Sequence, residues 1–192
     1  MINARATKSS PILNAVVVME NSAGYRKWGG NQGYQDSPGK DYAFDSTVHL
    51  AGEIQIGTLL VISRDRVIDE VGLVHSMRAT RGVKETLHCP KCERQSLEKR
   101  ASGDFYCTRC KEGFTSAEVL VRAKPVTKYI ATYGGTSISV GKRPDSSSIL
   151  PFMENRDIQS AIRCVKKISL RDLADFLEID LERLHLPDEG QH

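Results

Sequence analysis

The chain has 192 residues, 40% of them apolar, with 27 Lys and Arg against 24 Asp and Glu and a net charge of +3. This supports a modest core in one domain with room for an insert, and no apolar run approaches the roughly 20 residues of a membrane-spanning helix. The charge is unevenly spread: residues 78–128 hold 12 Lys and Arg against six Asp and Glu, while the remainder holds 15 against 18.

A local cation surplus of this kind is the footprint of a protein that grips phosphate backbones. A solvated charged face without a partner is the alternative. Five cysteines, four of them in two C-x-x-C pairs, favour metal over disulfides and a cytoplasmic setting.

In chain order, residues 12–19 (ILNAVVVM) read as a buried strand rather than a signal peptide, because the apolar stretch ends in Glu20 with no small-residue cleavage pattern. A glycine-rich segment follows over 21–45, containing Tyr25, Trp28, Tyr34, Tyr42 and Phe44, five of the chain's twelve aromatic residues. So many rings argue against plain disorder. They offer stacking surfaces for bases, and Asp36 or Asp41 could accept a hydrogen bond from a base amino group. The alternative is an ordered loop whose rings pack on a sheet.

Leu59 to Ile62 read as a second buried strand, Ser63 to Arg66 as a turn and Val67 to Met77 as the return. Gly72 within the returning strand signals a bulge or a close approach. Residues 118–122 and 126–133 read as two further strands, with Pro125 at a turn or an edge. After a breaker-rich linker, Asp157 to Lys167 has helical spacing. Ser169 to Asp172 resembles a capping box ahead of Leu173, Phe176 and Leu177.

Cys89, Cys92, Cys107 and Cys110 have the spacing of two knuckles. A C-x-x-C turn aims both sulfurs to one side, and two such turns complete the tetrahedral S₄ set that zinc accepts. Ser102-Gly103-Asp104 forms a turn between them, with Phe105-Tyr106 as a strand, giving a zinc ribbon over 86–114. Four protein ligands leave no open position, so one structural zinc ion is expected. His88 is surplus to that set, and Cys164 reads as a core thiol rather than a nucleophile. The cations Arg78, Arg81, Lys84, Arg94, Lys99 and Arg100 lead into the ribbon and decorate it.

The segment Tyr34-Gln35-Asp36-Ser37-Pro38-Gly39-Lys40-Asp41-Tyr42-Ala43-Phe44, the strand Gly57-Thr58-Leu59-Leu60-Val61-Ile62 and the return Glu70-Val71-Gly72-Leu73-Val74 resemble the PUA-like superfamily, which includes EVE, SRA, ASCH and YTH domains. The likeness is nearer to the PUA-like reader modules of HNH-type, modification-dependent restriction nucleases, some carrying a C-x-x-C…C-x-x-C insert after the returning strand. It spans residues 12–140. It departs from the family where the barrel strand usually opens with Gly-Asp and here reads Gly57-Thr58.

The resemblance implies an α+β, mainly β, fold: a pseudo-barrel over 10–140, the zinc ribbon of 86–114 inserted within it, and a helical C-terminal segment over 150–190. It implies a reader of a modified base, chiefly modified cytosine in double-stranded DNA, flipped between aromatic walls for a restriction or antiviral defence system. Tyr25, Trp28, Tyr34, Tyr42 and Phe44 would be wall residues, Asp36 and Asp41 would read the base edge, and the cations above would hold phosphates. No catalytic constellation is evident, and His49, His75 and His185 are isolated, so any nuclease would be another domain or subunit. The alternatives are a zinc-ribbon nucleic-acid or protein adaptor without a base pocket, and an ASCH-like RNase.

Overall fold

A computed structural model of the chain describes residues 12–20, 25–26, 33–152, 165–170 and 172–184. It is mainly β. Strands β1 (Asn14–Glu20), β5 (Thr58–Arg64), β6 (Val67–Leu73), β12 (Ser137–Ser139) and β13 (Val165–Ile168) form a mixed sheet in the order β12-β6-β5-β1-β13. A second sheet has the order β4-β11-β7, from Asp41–Asp45, Leu120–Thr132 and Ser76–His88. A third, small sheet has the order β10-β9-β8, from Glu112–Phe114, Phe105–Cys107 and Leu97–Lys99. Short strands β2 (Tyr25–Arg26) and β3 (Tyr34–Gln35) pair with each other.

The central strands explain the apolar runs in the sequence. β1 and β5 run parallel, with Val16 beside Leu60 and Val18 beside Ile62, and each is covered on both faces. Strands buried on both sides read as continuous Val, Ile and Leu rather than as alternation. Val16, Val18, Leu60 and Ile62 face the second sheet, meeting Tyr42, Phe44 and Ala131. Ala15, Val17, Leu59 and Val61 face the other way, onto Ile149, Leu173, Leu177 and Leu184. The core therefore has two compartments separated by the five-stranded sheet.

Among the described residues, no ladder joins a strand of the five-stranded sheet to one of the β4-β11-β7 sheet. The architecture described is of packed open sheets. The β5–β6 turn at Asp65 and Arg66 has positive φ at both residues, 48° and 68°, the geometry of a two-residue type I′ hairpin. The expected turn is thus in place, while the returning strand stops at Leu73 and a new strand begins at Ser76.

The tail differs from the sequence expectation. Val165 to Lys167, expected as the end of a helix, belong to β13, which pairs antiparallel with β1. The rest of that expected helix, through Cys164, lies outside the described residues. Helix α1 spans only Leu173–Leu177 with Asp172 at its N-cap and no side-chain cap bond there, so it starts three residues beyond the expected Ser169. Leu173 and Leu177 bury against the main sheet. The described part of the C-terminal segment packs on the main sheet.

Candidate metal centre and nucleic-acid interface

The second sheet carries an unusual extension. β7 and β11 pair over all 13 residues of each, from Ser76 opposite Thr132 to His88 opposite Leu120. β4 accompanies β11 only from Lys128 to Thr132. Beyond that point the pair continues as a two-stranded arm. Pro125, expected between two strands, lies inside one strand opposite Val83. It is tolerated there because, among the described residues, no third strand flanks this part of β11, the edge placement open to proline.

The four cysteines lie at the arm's far end. Cys89 directly follows β7, and Cys107 closes β9. Their sulfurs all lie within 4.8 Å of one another, with Cys92 to Cys107 at 3.8 Å and Cys89 to Cys110 at 3.9 Å. Four sulfurs about 2.3 Å from a central ion form a tetrahedron with edges of about 3.8 Å, so this set can hold a metal ion.

The two knuckles are built alike. The Glu93 amide donates to the Cys89 carbonyl and the Lys111 amide to the Cys107 carbonyl, each at 2.8 Å. Glu93 and Lys111 both take left-handed backbone, with φ of 57° and 62°. Leu97, Phe105 and Val119 form a small core of their own beside Cys89 and Cys107.

Burial disfavours the charged form of Cys107, but the Ser96 hydroxyl at 3.1 Å and the amides of Cys110 and Arg109 bring its thiol down to about 6. Burial and the neighbouring sulfurs push Cys110 up to about 12. Four thiolates so close cannot all ionise without a cation among them, and a dication relieves that conflict. His88 is not a ligand: its Nδ1 lies 2.7 Å from the Glu93 carbonyl and its Nε2 3.0 Å from Thr86 Oγ1, holding the first knuckle to the arm.

The aromatic segment is built differently from the cavity wall that the resemblance implies. Tyr42 and Phe44 are 0% and 1% exposed, their rings stacked at 5.7 Å, with Tyr129 stacked on Phe44 at 5.1 Å. They point inward because β4 pairs with β11 so that Tyr42 and Phe44 share a face with Ala131 and Tyr129. This corrects their assignment as wall residues.

Asp36 is buried and accepts the Ala43 amide at 2.9 Å, and Asp41 accepts Thr132 Oγ1 at 2.7 Å, so both brace the fold and neither is placed as a base reader. Ser37 to Lys40 form a type II turn, with Gly39 at φ 77° and the Lys40 amide bonded to the Ser37 carbonyl at 2.9 Å. Trp28 and the side chain of Tyr25 lie outside the described residues.

Tyr34 and Lys84 belong to one polar cluster at the root of the arm. Tyr34 donates to Asp45 at 2.9 Å, and Lys84 reaches Asp45 at 2.9 Å, the Tyr34 hydroxyl at 2.6 Å and Thr47 at 2.9 Å. Burial opposes ionisation of Asp45, yet Lys84, Thr47 and Tyr34 together hold its carboxyl below the usual range. Lys84 is therefore already paired within the protein and does not serve as an open phosphate contact.

Arg78, Arg81, Arg94, Lys99 and Arg100 are exposed as expected, Arg100 resting over the Tyr106 ring at 4.4 Å. The sequence reading missed Arg122, Lys124 and Lys128. Strand period places them on one face of the ladder with Arg78. Reading β11 as one strand through Pro125 would have aligned them.

A second polar cluster lies elsewhere. Arg64 contacts Glu20 at 2.8 Å, Asp69 at 3.1 Å and Glu70 at 2.6 Å, and the Tyr133 hydroxyl donates to Glu20 at 2.7 Å. A cleft of about 480 Å³ adjoins it, lined among the described residues by Arg64, Asp65, Val67, Asp69 and Arg143, none of them aromatic. Comparisons with known protein families, with characterised proteins and with solved structures find no match to this chain. Among the described residues, no helix is long and apolar enough to cross a membrane.

Proposed function

We propose that this chain binds nucleic acid through the arm and the cysteine module at its tip, with one structural zinc ion held by Cys89, Cys92, Cys107 and Cys110. The observation that carries this reading is the ladder register. It gathers Arg78, Lys124 and Lys128 on one face of a ribbon, beside Arg122, which is ion-paired with Glu93, and the ribbon leads into a module bearing Arg94, Lys99 and Arg100. Phosphate contacts by such cations release counterions and dominate affinity. Zinc fits because all four donors are sulfur, the knuckles are closed and no position is left for substrate. The metal's role is then to hold the tip folded.

The test is a binding titration of labelled DNA and RNA at several salt concentrations. Affinity should fall steeply with salt, and Lys124→Glu or Lys128→Glu should each reduce the slope by about one. Absence of binding at low salt would overturn the reading.

The finer proposal, a modified-base reader serving a restriction nuclease, rests on the resemblance and now on Trp28 and Tyr25, since Tyr42 and Phe44 are interior. Duplexes with unmodified, methylated, hydroxymethylated and glucosylated cytosine separate the two readings. Equal affinity for all four would leave an adaptor without a base pocket.

A further inference from the structure

We infer that the arm is a groove-inserting element and that its ligand is B-form duplex DNA; the inference rests on the nucleic-acid reading above. Among the described residues, no third strand flanks the ladder from Gly82 opposite Val126 to His88 opposite Leu120, Thr127 still being bonded to Ser46. These seven paired positions span roughly 23 Å at about 3.3 Å per residue. The two strands lie about 4.8 Å apart, so with side chains the ribbon is roughly 10–12 Å across. The major groove of B-form DNA, about 12 Å wide and 8.5 Å deep, admits a two-stranded ribbon of this size. The major groove of A-form RNA is too narrow for side chains to read.

The arm is anchored at both ends. A lone hairpin is marginal in water. Here the root is anchored by β4 and by the Lys84–Asp45 pair, and the tip by Leu87 and Val119 packed in the module's core beside Cys89.

Along this part, one face carries Lys124, Arg122, which is ion-paired with Glu93, and Lys84, which is held by Asp45, and it continues into Lys128 and Arg78. Lys128 lies along the ribbon, since a methyl group at Gly82 would meet its Cε at 2.7 Å. That face meets base edges, where Arg and Lys pair with guanine O6 and N7. The strand edges lie toward the groove walls, where outward backbone amides can donate to phosphates.

The arm also lacks what a single-strand binder uses. Neither 78–88 nor 120–128 contains Phe, Tyr or Trp, and the imidazole of His88 is engaged by the Glu93 carbonyl and Thr86. The chemistry that remains is cationic and matched in width to a groove.

The experiment uses the full zinc-loaded chain and compares a DNA duplex, an RNA duplex of the same sequence and the separate DNA strands at one salt concentration. Methylation of guanine N7, which lies in the major groove, is then scored for interference. DNA duplex should bind at least tenfold tighter than the other two, and N7 methylation should weaken it. Lys124→Glu combined with Lys128→Glu, two exposed positions, should lower duplex affinity at least tenfold while metal content stays at one per chain.

Equal binding of all three polymers, or indifference to N7 methylation, would overturn groove insertion and leave the broader nucleic-acid reading standing. Binding to none of them would remove both.

Discussion

Gly72 of β6 and Tyr133 are packed so closely that a methyl group at Gly72 would lie 2.6 Å from Cδ2 of the ring. The ring cannot give way, because its hydroxyl donates to Glu20 at 2.7 Å and accepts from the Gly39 amide at 2.9 Å. Replacing glycine with alanine often stabilises a protein by about 0.4–1 kcal/mol through the unfolded chain. Overpacking costs about 1–3 kcal/mol and should win at this site. Gly72→Ala is expected to lower the urea midpoint, and an unchanged midpoint would show that Tyr133 has room to move.

Phe44 should behave as a core residue. Its removal opens a void between the sheets beside Tyr42 and Tyr129. Phe44→Ala is expected to cost about 3–5 kcal/mol of stability. The milder Phe44→Leu should lower the melting temperature while leaving nucleic-acid affinity unchanged. Weaker binding at undiminished stability would put this ring on a binding surface instead.

Asp45 makes the root of the arm sensitive to acid. Its folded carboxyl titrates below its ordinary value of 3.8 because Lys84, Thr47 and Tyr34 favour the charged form. Its contribution is therefore complete above about pH 4 and lost as pH falls through the folded value. Asp45→Asn should cost about 1.5–3 kcal/mol at pH 7, in line with hydrogen bonds to a charged group. Unfolding free energies measured at pH 7 and pH 3 should show this gap narrowing in acid, and a gap that widens would refute the assignment.

The cysteine module should melt by itself when its metal is removed. Its small core of Leu97, Phe105 and Val119 is separate from the two body compartments. Metal analysis should find one zinc per chain. Chelation or Cys107→Ser should expose amides of β8, β9 and β10 to hydrogen exchange while the body stays protected. Simultaneous loss of protection across the whole chain would mean that the module and the body fold as one unit.

Lys111 occupies a left-handed position at φ 62°, the backbone region that glycine enters without a side-chain penalty. That conformation costs other residues about 1–2 kcal/mol. Lys111→Gly should therefore strengthen the second knuckle and slow zinc loss to a competing chelator. Faster loss would show that the lysine side chain contributes more than the backbone strain removes.

Several features were legible in the chain alone because their signals are local. The runs 12–19 and 59–62 read as buried strands and Ser63–Arg66 as the turn after the second, and the structure has strands at Asn14–Glu20 and Thr58–Arg64 with the turn narrowed to Asp65 and Arg66. The cysteine spacing states its own geometry: two-residue gaps make knuckles wherever the chain places them. Gly72 inside an apolar strand signalled a close neighbour without revealing that the neighbour was Tyr133.

Tertiary structure decided what those residues serve. In Tyr34-x-Asp36-x-Pro38-Gly39-x-x-Tyr42-x-Phe44, the first residue binds Asp45 and Lys84, the second caps the Ala43 amide, the pair in the middle makes the turn and the last two fill the core. A ring in a glycine-rich stretch has the same local signature whether it faces solvent or the interior, because the choice depends on which strand pairs with its own. The same dependence on distant pairing made β11 continuous through Pro125 and drew 165–168 into the main sheet beside β1. Composition is local, but direction and partnership are properties of the assembled sheets.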